Sequence, residues 1–379
     1  MLKIESRQFV REHDLFACIQ CGKCTGGCPM AIKTKLNPRT LIYRLLIAGN
    51  GFDLEGRDEL WDCTTCSTCS SRCPKQVNPM EMVIALRSQF VEKGRVHPNV
   101  KTALESTFRY GNPLTMPRED RGAWAKDLPV KPFEEGTEFL YFVGCTPSYD
   151  PRVQKVAASL ARLMGGAGVD FGILGEGESC CGSEIRRLGE AGLFEMIVEE
   201  TTELYKEMGV HKIFTTSPHC FNVFKNDYPK NGTQVQHYTQ MLSGLLDGTV
   251  QAERLEFTGR LDAAVTYHDP CYLGKHNGIF DEPRHVLNSI PGVRLVEMDR
   301  SREKSLCCEG GGGRMWLEGT NPGTRLAQMR VKEALDTGAE ILATACPFCL
   351  LTLDEAVKHL NAEERIRVMD IAEIAAQAL

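Results

Sequence analysis

Cys307-Cys308-Glu309-Gly310-Gly311-Gly312-Gly313, with Cys271 before it and Cys346-Pro347-Phe348-Cys349 after it, decides how this chain is read. Adjacent cysteines do not readily bond to each other, and four consecutive glycines let a backbone curl closely around something bulky. Five thiols drawn from three loops point to an inorganic cluster. The pattern has an echo nearer the N-terminus: Cys145, Cys180-Cys181-Gly182 and Ser217-Pro218-His219-Cys220. The three pieces are displaced by nearly the same offset, which marks a duplicated unit. One thiol differs, because Ser217 stands where the later copy has Cys346.

Composition narrows the class. A chain of 379 residues exceeds one ordinary core and predicts two or three domains. Hydrophobic residues at 42% and charged residues at 25% describe a soluble globular protein. A net charge of -6 gives no reason to bind nucleic acid, so the expected partners are proteins and small molecules. No apolar run approaches the roughly 18 residues of a membrane span, and Met1 to Ser6 do not open a secretory leader. The expectation is a cytoplasmic protein without direct membrane insertion. In that reducing setting seventeen cysteines read as metal ligands rather than disulfides.

The N-terminal region carries the run Cys18-x2-Cys21-x2-Cys24-x3-Cys28-Pro29, repeated whole as Cys63-x2-Cys66-x2-Cys69-x3-Cys73-Pro74. This is the bacterial 4Fe-4S spacing, in which three thiolates wrap one cluster and the fourth reaches its neighbour. It assigns Cys18, Cys21, Cys24 and Cys73 to one cubane cluster, and Cys63, Cys66, Cys69 and Cys28 to another. Structural zinc also uses CxxC pairs, but not two complete four-cysteine runs, each closed by proline. Apolar periodicity predicts helices over 38–47 and 79–92, which favours an α-helical ferredoxin domain over residues 1–100. Arg39, Arg44 and Arg87 read as solvated or cluster-facing charges. Residues 101–137, rich in proline, read as a surface linker.

From Glu138 onward strands alternate with helices. Strands are expected at 139–143, 212–216, 263–267 and 340–344, and helices at 152–164, 193–208, 283–289 and 324–337. This alternation predicts a duplicated α/β domain with parallel sheets, one copy over 138–250 and the other over 251–379. Ligands collect at the carboxyl ends of parallel strands, where Cys145, Cys220, Cys271, Cys346 and Cys349 fall, so the cysteine loops should converge.

These motifs resemble the catalytic subunit of heterodisulfide reductase, and residues 1–100 resemble its small ferredoxin-like partner, as if the two were fused. The resemblance implies non-cubane 4Fe-4S clusters, each held by five cysteines. The later copy keeps all five: Cys271, Cys307, Cys308, Cys346 and Cys349. It departs from the family at Glu309, where glycine is usual, and Glu309 is expected to face solvent. The earlier copy offers only Cys145, Cys180, Cys181 and Cys220. Three readings of it stand: a cluster with an altered ligand, a different metal centre such as zinc, or an empty site. His268, next to Asp269-Pro270-Cys271, is counted with the catalytic residues and read as hydrogen-bonded behind the ligands. His219 stays open between ligand and proton donor, and His237 and His276 are unplaced.

Two functions follow. In the first, a flavoprotein partner supplies electrons through the two cubane clusters to the non-cubane cluster, where a disulfide or similar acceptor is reduced. In the second, the chain is an electron relay within a larger complex, of acyl-CoA reductase or glycolate and glycerol-3-phosphate dehydrogenase type. No nucleotide fingerprint appears, since the glycine run lacks the strand-to-helix context of G-x-G-x-x-G.

Overall fold

The computed structural model describes residues 2–49, 51–317, 320 and 323–379. Two sheets carry the central and C-terminal parts. The first runs in the order 131–132, 171–173, 139–142, 212–215, 234–237, and the second in the order 293–295, 263–267, 341–344, 367–370. Every ladder in both sheets is parallel, as strand–helix alternation requires. The two orders correspond strand for strand, except that Lys131–Pro132 adds an edge to the first.

In the N-terminal region, helices Pro38–Ile47 and Pro79–Val91 form where periodicity places them. Both start on an Asn-Pro pair. The side chains of Asn37 and Asn78 accept from the amides of Thr40 and Glu81, and the proline takes the first helical position, where its missing N–H costs nothing. A two-stranded antiparallel pair, Lys3–Ile4 with Phe52–Asp53, ties the N-terminus down.

The segment expected to be a linker is structured. It holds helix Pro98–Tyr110, capped by His97 and stopped by Gly111 at φ 67°, and a 3-10 stretch over Arg118–Ala125. The buried face of that helix is Val100, Ala103, Ser106 and Thr107, too small and polar to give an apolar period. The loops expected after Ser217 and Cys346 are likewise helical beyond their prolines, over Pro218–Asn226 and Pro347–His359.

One hydrophobic cluster runs from Tyr141, Val153 and Leu160 in the earlier copy to Val265, Leu342 and Ile371 in the later one. Arg152 crosses between them to Glu373 at 2.6 Å. A second cluster joins Leu15, Leu41, Leu60 and Leu86 of the N-terminal region to Leu306, Cys307 and Leu326. The N-terminal region is therefore packed directly onto the later cysteine motif.

Candidate metal centres

None of the seventeen cysteines is paired in a disulfide. Cys18, Cys21, Cys24 and Cys73 line one small cavity. Cys28 lies beside Cys66 and Cys63, and Cys69 beside the same three. Burial, then these neighbours, push Cys28 up to about 12. Thiols crowded so that they suppress one another's ionisation suit a metal centre, which replaces their protons.

The late motif begins at this second group. Cys66 hydrogen-bonds to Cys307, whose thiol also donates to Thr64 Oγ1 at 3.4 Å. From there the five thiols form an unbroken chain of contacts, Cys271 to Cys307, Cys308, Cys349 and Cys346, with Cys308 and Cys349 sulfurs 3.3 Å apart. Cys271 follows strand 263–267, while Cys346 and Cys349 follow strand 341–344 at the start of a helix.

The glycine run also packs closely against the protein's own chain. A Cβ on Gly312 would lie 2.6 Å from the Cys63 carbonyl, and one on Gly313 would lie 2.2 Å from Leu188, both at positive φ. The protein's own loop around residues 63–65 passes Gly312, and the Leu188 side chain passes Gly313. Thr65 bonds Tyr272 at 2.6 Å, His276 bonds the Thr65 carbonyl at 2.9 Å, and Lys275 reaches Thr68 at 2.9 Å.

Glu309 is buried rather than solvent-facing. Its backbone at φ 70° repeats that of Gly182 at φ 77°, and both amides donate to the first sulfur of their cysteine pair, at 3.3 and 3.4 Å. The left-handed turn explains the family's glycine. Here the carboxylate is held inward by Lys33 at 3.3 Å, Arg314 at 3.0 Å and the Leu326 amide at 2.8 Å.

In the early motif Cys181 and Cys220 sulfurs are 3.2 Å apart, and Cys145 bonds Cys180. Arg121 lies 3.5 Å from the Cys145 sulfur and 2.7 Å from Glu178. Ser217 Oγ accepts from the His219 amide at 3.3 Å and so caps its helix.

The cysteine-rich domain family matches residues 139–225 and 265–354, and the 4Fe-4S dicluster domain family matches 14–77. One subunit of the dihydromethanophenazine:CoB–CoM heterodisulfide reductase of Methanosarcina barkeri is 34% identical, over 97% of this chain and 94% of its own length. The chain belongs to the heterodisulfide reductase family. The probable iron-sulfur-binding oxidoreductase FadF of Bacillus subtilis is 35% identical over the whole chain, and the EtfAB:quinone oxidoreductase of Syntrophomonas wolfei 33% over 97%. The chain spans only 61% and 58% of these two proteins. A hypothetical protein of Helicobacter pylori shares the fold at a TM-score of 0.54 and 12% identity, covering 99% of this chain and 71% of that one. The matched regions take in both cysteine-rich repeats and both four-cysteine runs. Among the described residues, no helix is long and apolar enough to cross a membrane.

Within this heterodisulfide reductase relative, the histidines divide by environment. His268 Nδ1 accepts from Arg330 at 3.1 Å; burial and then Arg330 hold the ring at about 3, leaving it neutral with its proton on Nε2. Its ring stands within 4.8 Å of the Cys308 and Cys349 sulfurs. His219 leaves its own motif for the other. It pairs with Glu184 at 2.8 Å, stacks on Tyr272 at 4.0 Å and bonds Cys346. Burial opposes its charge, but Cys346 and Glu184 raise it to about 10. Burial also opposes the Cys346 thiolate, yet Cys349 and His219 bring that thiol down to about 5. His237 is a buried helix cap bonded to Thr239 and to the Thr216 carbonyl.

Sequence reasoning missed Arg121, Arg187 and Arg330, and it left Arg87 open between a solvated and a cluster-facing charge. Arg87, Arg121, Arg187 and Arg330 are fully buried beside these motifs. Arg87 donates five hydrogen bonds, all to carbonyls: Leu60 twice, Cys63, Arg187 and Gly312, at 2.7–3.1 Å. Its place on the buried stripe Val83, Arg87, Phe90 was the available signal. A guanidinium buried without a carboxylate in bonding contact is costly, and an anionic cluster at Cys63 would offset that cost. These residues therefore fit the iron-sulfur groups that the family implies.

Proposed function

We propose that the chain takes electrons from a flavoprotein partner through two cubane 4Fe-4S clusters to a non-cubane 4Fe-4S cluster that reduces a disulfide or similar two-electron acceptor. Cys18, Cys21, Cys24 and Cys73 would hold the first cubane in an α-helical ferredoxin unit, and Cys63, Cys66, Cys69 and Cys28 the second. Cys271, Cys307, Cys308, Cys346 and Cys349 would hold the non-cubane group. When bound, these groups supply one-electron carriers and an iron site beside the acceptor.

The observation that carries this reading is the packing of Cys307 against the second four-cysteine group, beside Cys66 and 3.4 Å from Thr64 Oγ1. Around that junction Arg87 fixes the 60–63 backbone, and Tyr272 and His276 hold Thr65. His219 faces Cys346, and Arg330 keeps the His268 proton on Nε2 as a hydrogen-bond donor beside Cys308 and Cys349. Anaerobic iron and sulfide analysis with EPR of the full chain tests the assignment. Iron in three separately reducible centres is expected; zinc, or a single reducible centre, would overturn it.

A relay function without its own substrate is favoured by one observation. Ser217 is occupied as a helix cap, so the early motif has four thiols, and a serine hydroxyl is a poor iron ligand beside them. A heterodisulfide clamped between two equivalent centres would need both motifs intact.

A further inference from the structure

Of the seventeen cysteines, Cys21 alone is exposed. The cavity it lines with Cys18, Cys24 and Cys73 opens between Ile19, Lys23, Arg39 and Lys75. From Arg39 the outer stripe of helix Pro38–Ile47 continues at four-residue steps through Tyr43, 51% exposed, and Ile47, 63% exposed. Ile19, which lines the cavity, and Phe16, three residues before it in sequence, are 58% and 66% exposed. Around the most accessible thiol site the surface is therefore apolar.

Its charge is one-sided. From Leu15 to Phe52 the sequence has no aspartate or glutamate, but has Lys23, Lys33, Lys35, Arg39 and Arg44; from Cys63 to Met80 it again has none, but has Arg72 and Lys75. Lys33 is turned inward to Glu309, while Lys23, Lys35, Arg39, Arg44, Arg72 and Lys75 are exposed. The whole chain, by contrast, carries -6. Exposed Asp14 lies two residues before Phe16, but the charged residues that line the cavity, Lys23, Arg39 and Lys75, are all basic, and a basic mouth beside apolar residues on an acidic protein is not explained by solubility.

We propose that this face is the docking surface for an electron-carrier protein with an acidic rim around an exposed flavin. The inference rests on the proposed electron route and adds the place of entry and the partner's charge. Apolar contact at Ile19 and Tyr43 would bring the flavin edge towards Cys21, and the basic rim would steer the encounter. In each encounter one electron leaves the reduced flavin and one enters the centre held by Cys18, Cys21, Cys24 and Cys73. No bond forms or breaks between the proteins, and the flavin proton passes to water. A lipid surface is the lesser fit, because only Tyr43 and Ile47 share a helical face, while Phe16 and Ile19 come from a separate segment beside the cysteine-lined cavity.

The test uses the full-length, cluster-loaded protein with reduced flavodoxin, an acidic flavoprotein, as the probe donor. Cluster reduction is followed by stopped-flow absorbance between about 20 and about 300 mM salt. The wild-type second-order rate should fall at least about tenfold over that range. Arg39→Glu/Lys75→Glu should be at least about tenfold slower at low salt and nearly salt-independent. Equal total reduction of both proteins by excess dithionite would show that the variant's centres are intact. A variant matching the wild type, or a wild type that flavodoxin does not reduce, would overturn the proposal. So would sedimentation of wild type, but not variant, with phosphatidylglycerol vesicles while flavodoxin rates stay equal, since the face would then be a membrane surface. None of these failures removes the three reducible centres expected above, so docking and route fail separately.

Discussion

Arg87→Met keeps most of a fully buried volume and removes all five hydrogen bonds from the guanidinium. Four buried carbonyls lose their donor, each at a cost of about 1 kcal/mol or more. Part of that loss is returned because a desolvated charge also disappears, so the net expectation is about 3 kcal/mol. Two of the carbonyls, those of Arg187 and Gly312, lie on the cysteine-rich repeats, so much of the loss falls on docking of the N-terminal region. The variant should unfold at lower urea concentration and pass electrons more slowly from the N-terminal centres to the late motif, with iron content preserved. Anaerobic urea titration and freeze-quench EPR measure the two effects. Arg87→Lys should recover less than half of the stability, because one ammonium cannot span four carbonyls as a planar fork does. A methionine variant with the wild-type midpoint and transfer rate would refute the reasoning.

Cys346→Ser gives the late motif the ligand set of the early one, and should abolish its non-cubane EPR signature and nearly all turnover; retention of either would show that five thiols are not required. Ser217→Cys should add iron at the early motif only at the expense of the helix cap, at about 1 kcal/mol of stability, read by metal analysis and thermal melting together. Asp370 is a buried helix cap bonded by Tyr238 at 2.5 Å, and burial raises its carboxyl to about 8. An unfolded carboxyl ionises near 4, so this group's contribution is complete below about pH 4 and lost as pH rises towards 8. Relative to Asp370→Asn, the wild type should lose up to about 1 kcal/mol per pH unit between about pH 5 and 8, by anaerobic denaturation. Parallel profiles would refute it.

The motif spacing made the cysteine groups legible, because ligand spacing is a local property of the chain. Long periodic segments were legible as well: helix 38–47 and strand 263–267 form over the residues expected. Strands 171–173, 234–237, 293–295 and 367–370 were not, being three or four residues long and stabilised by their parallel neighbours rather than by a local pattern. Helix 98–110 hid behind its proline, which reads as a breaker although it begins the helix. Glu309 shows the sharper limit. Its charge predicts exposure, and only the approach of Lys33, from nearly three hundred residues away in sequence, with Arg314, makes burial tolerable.

The equivalent positions of the two repeats show how a duplication can become asymmetric. Gly182 and Glu309 share a backbone conformation, but only the glutamate reaches across to the N-terminal region, through Lys33. Ser217 uses its hydroxyl to cap a helix, whereas Cys346 opens its helix without a side-chain cap and keeps its sulfur for the thiol chain. His219 occupies the slot of Phe348, yet its ring contacts Tyr272 and Cys346 of the other repeat instead of its own four thiols. Each exchange removes a functional group from the early motif or commits one to the late motif. Cys66, Arg87 and the glycine run add the N-terminal contacts to the same place. The proposed route to the late motif is therefore supported by where the bonds concentrate as well as by the count of cysteines, and Ser217→Cys alone should not restore symmetry.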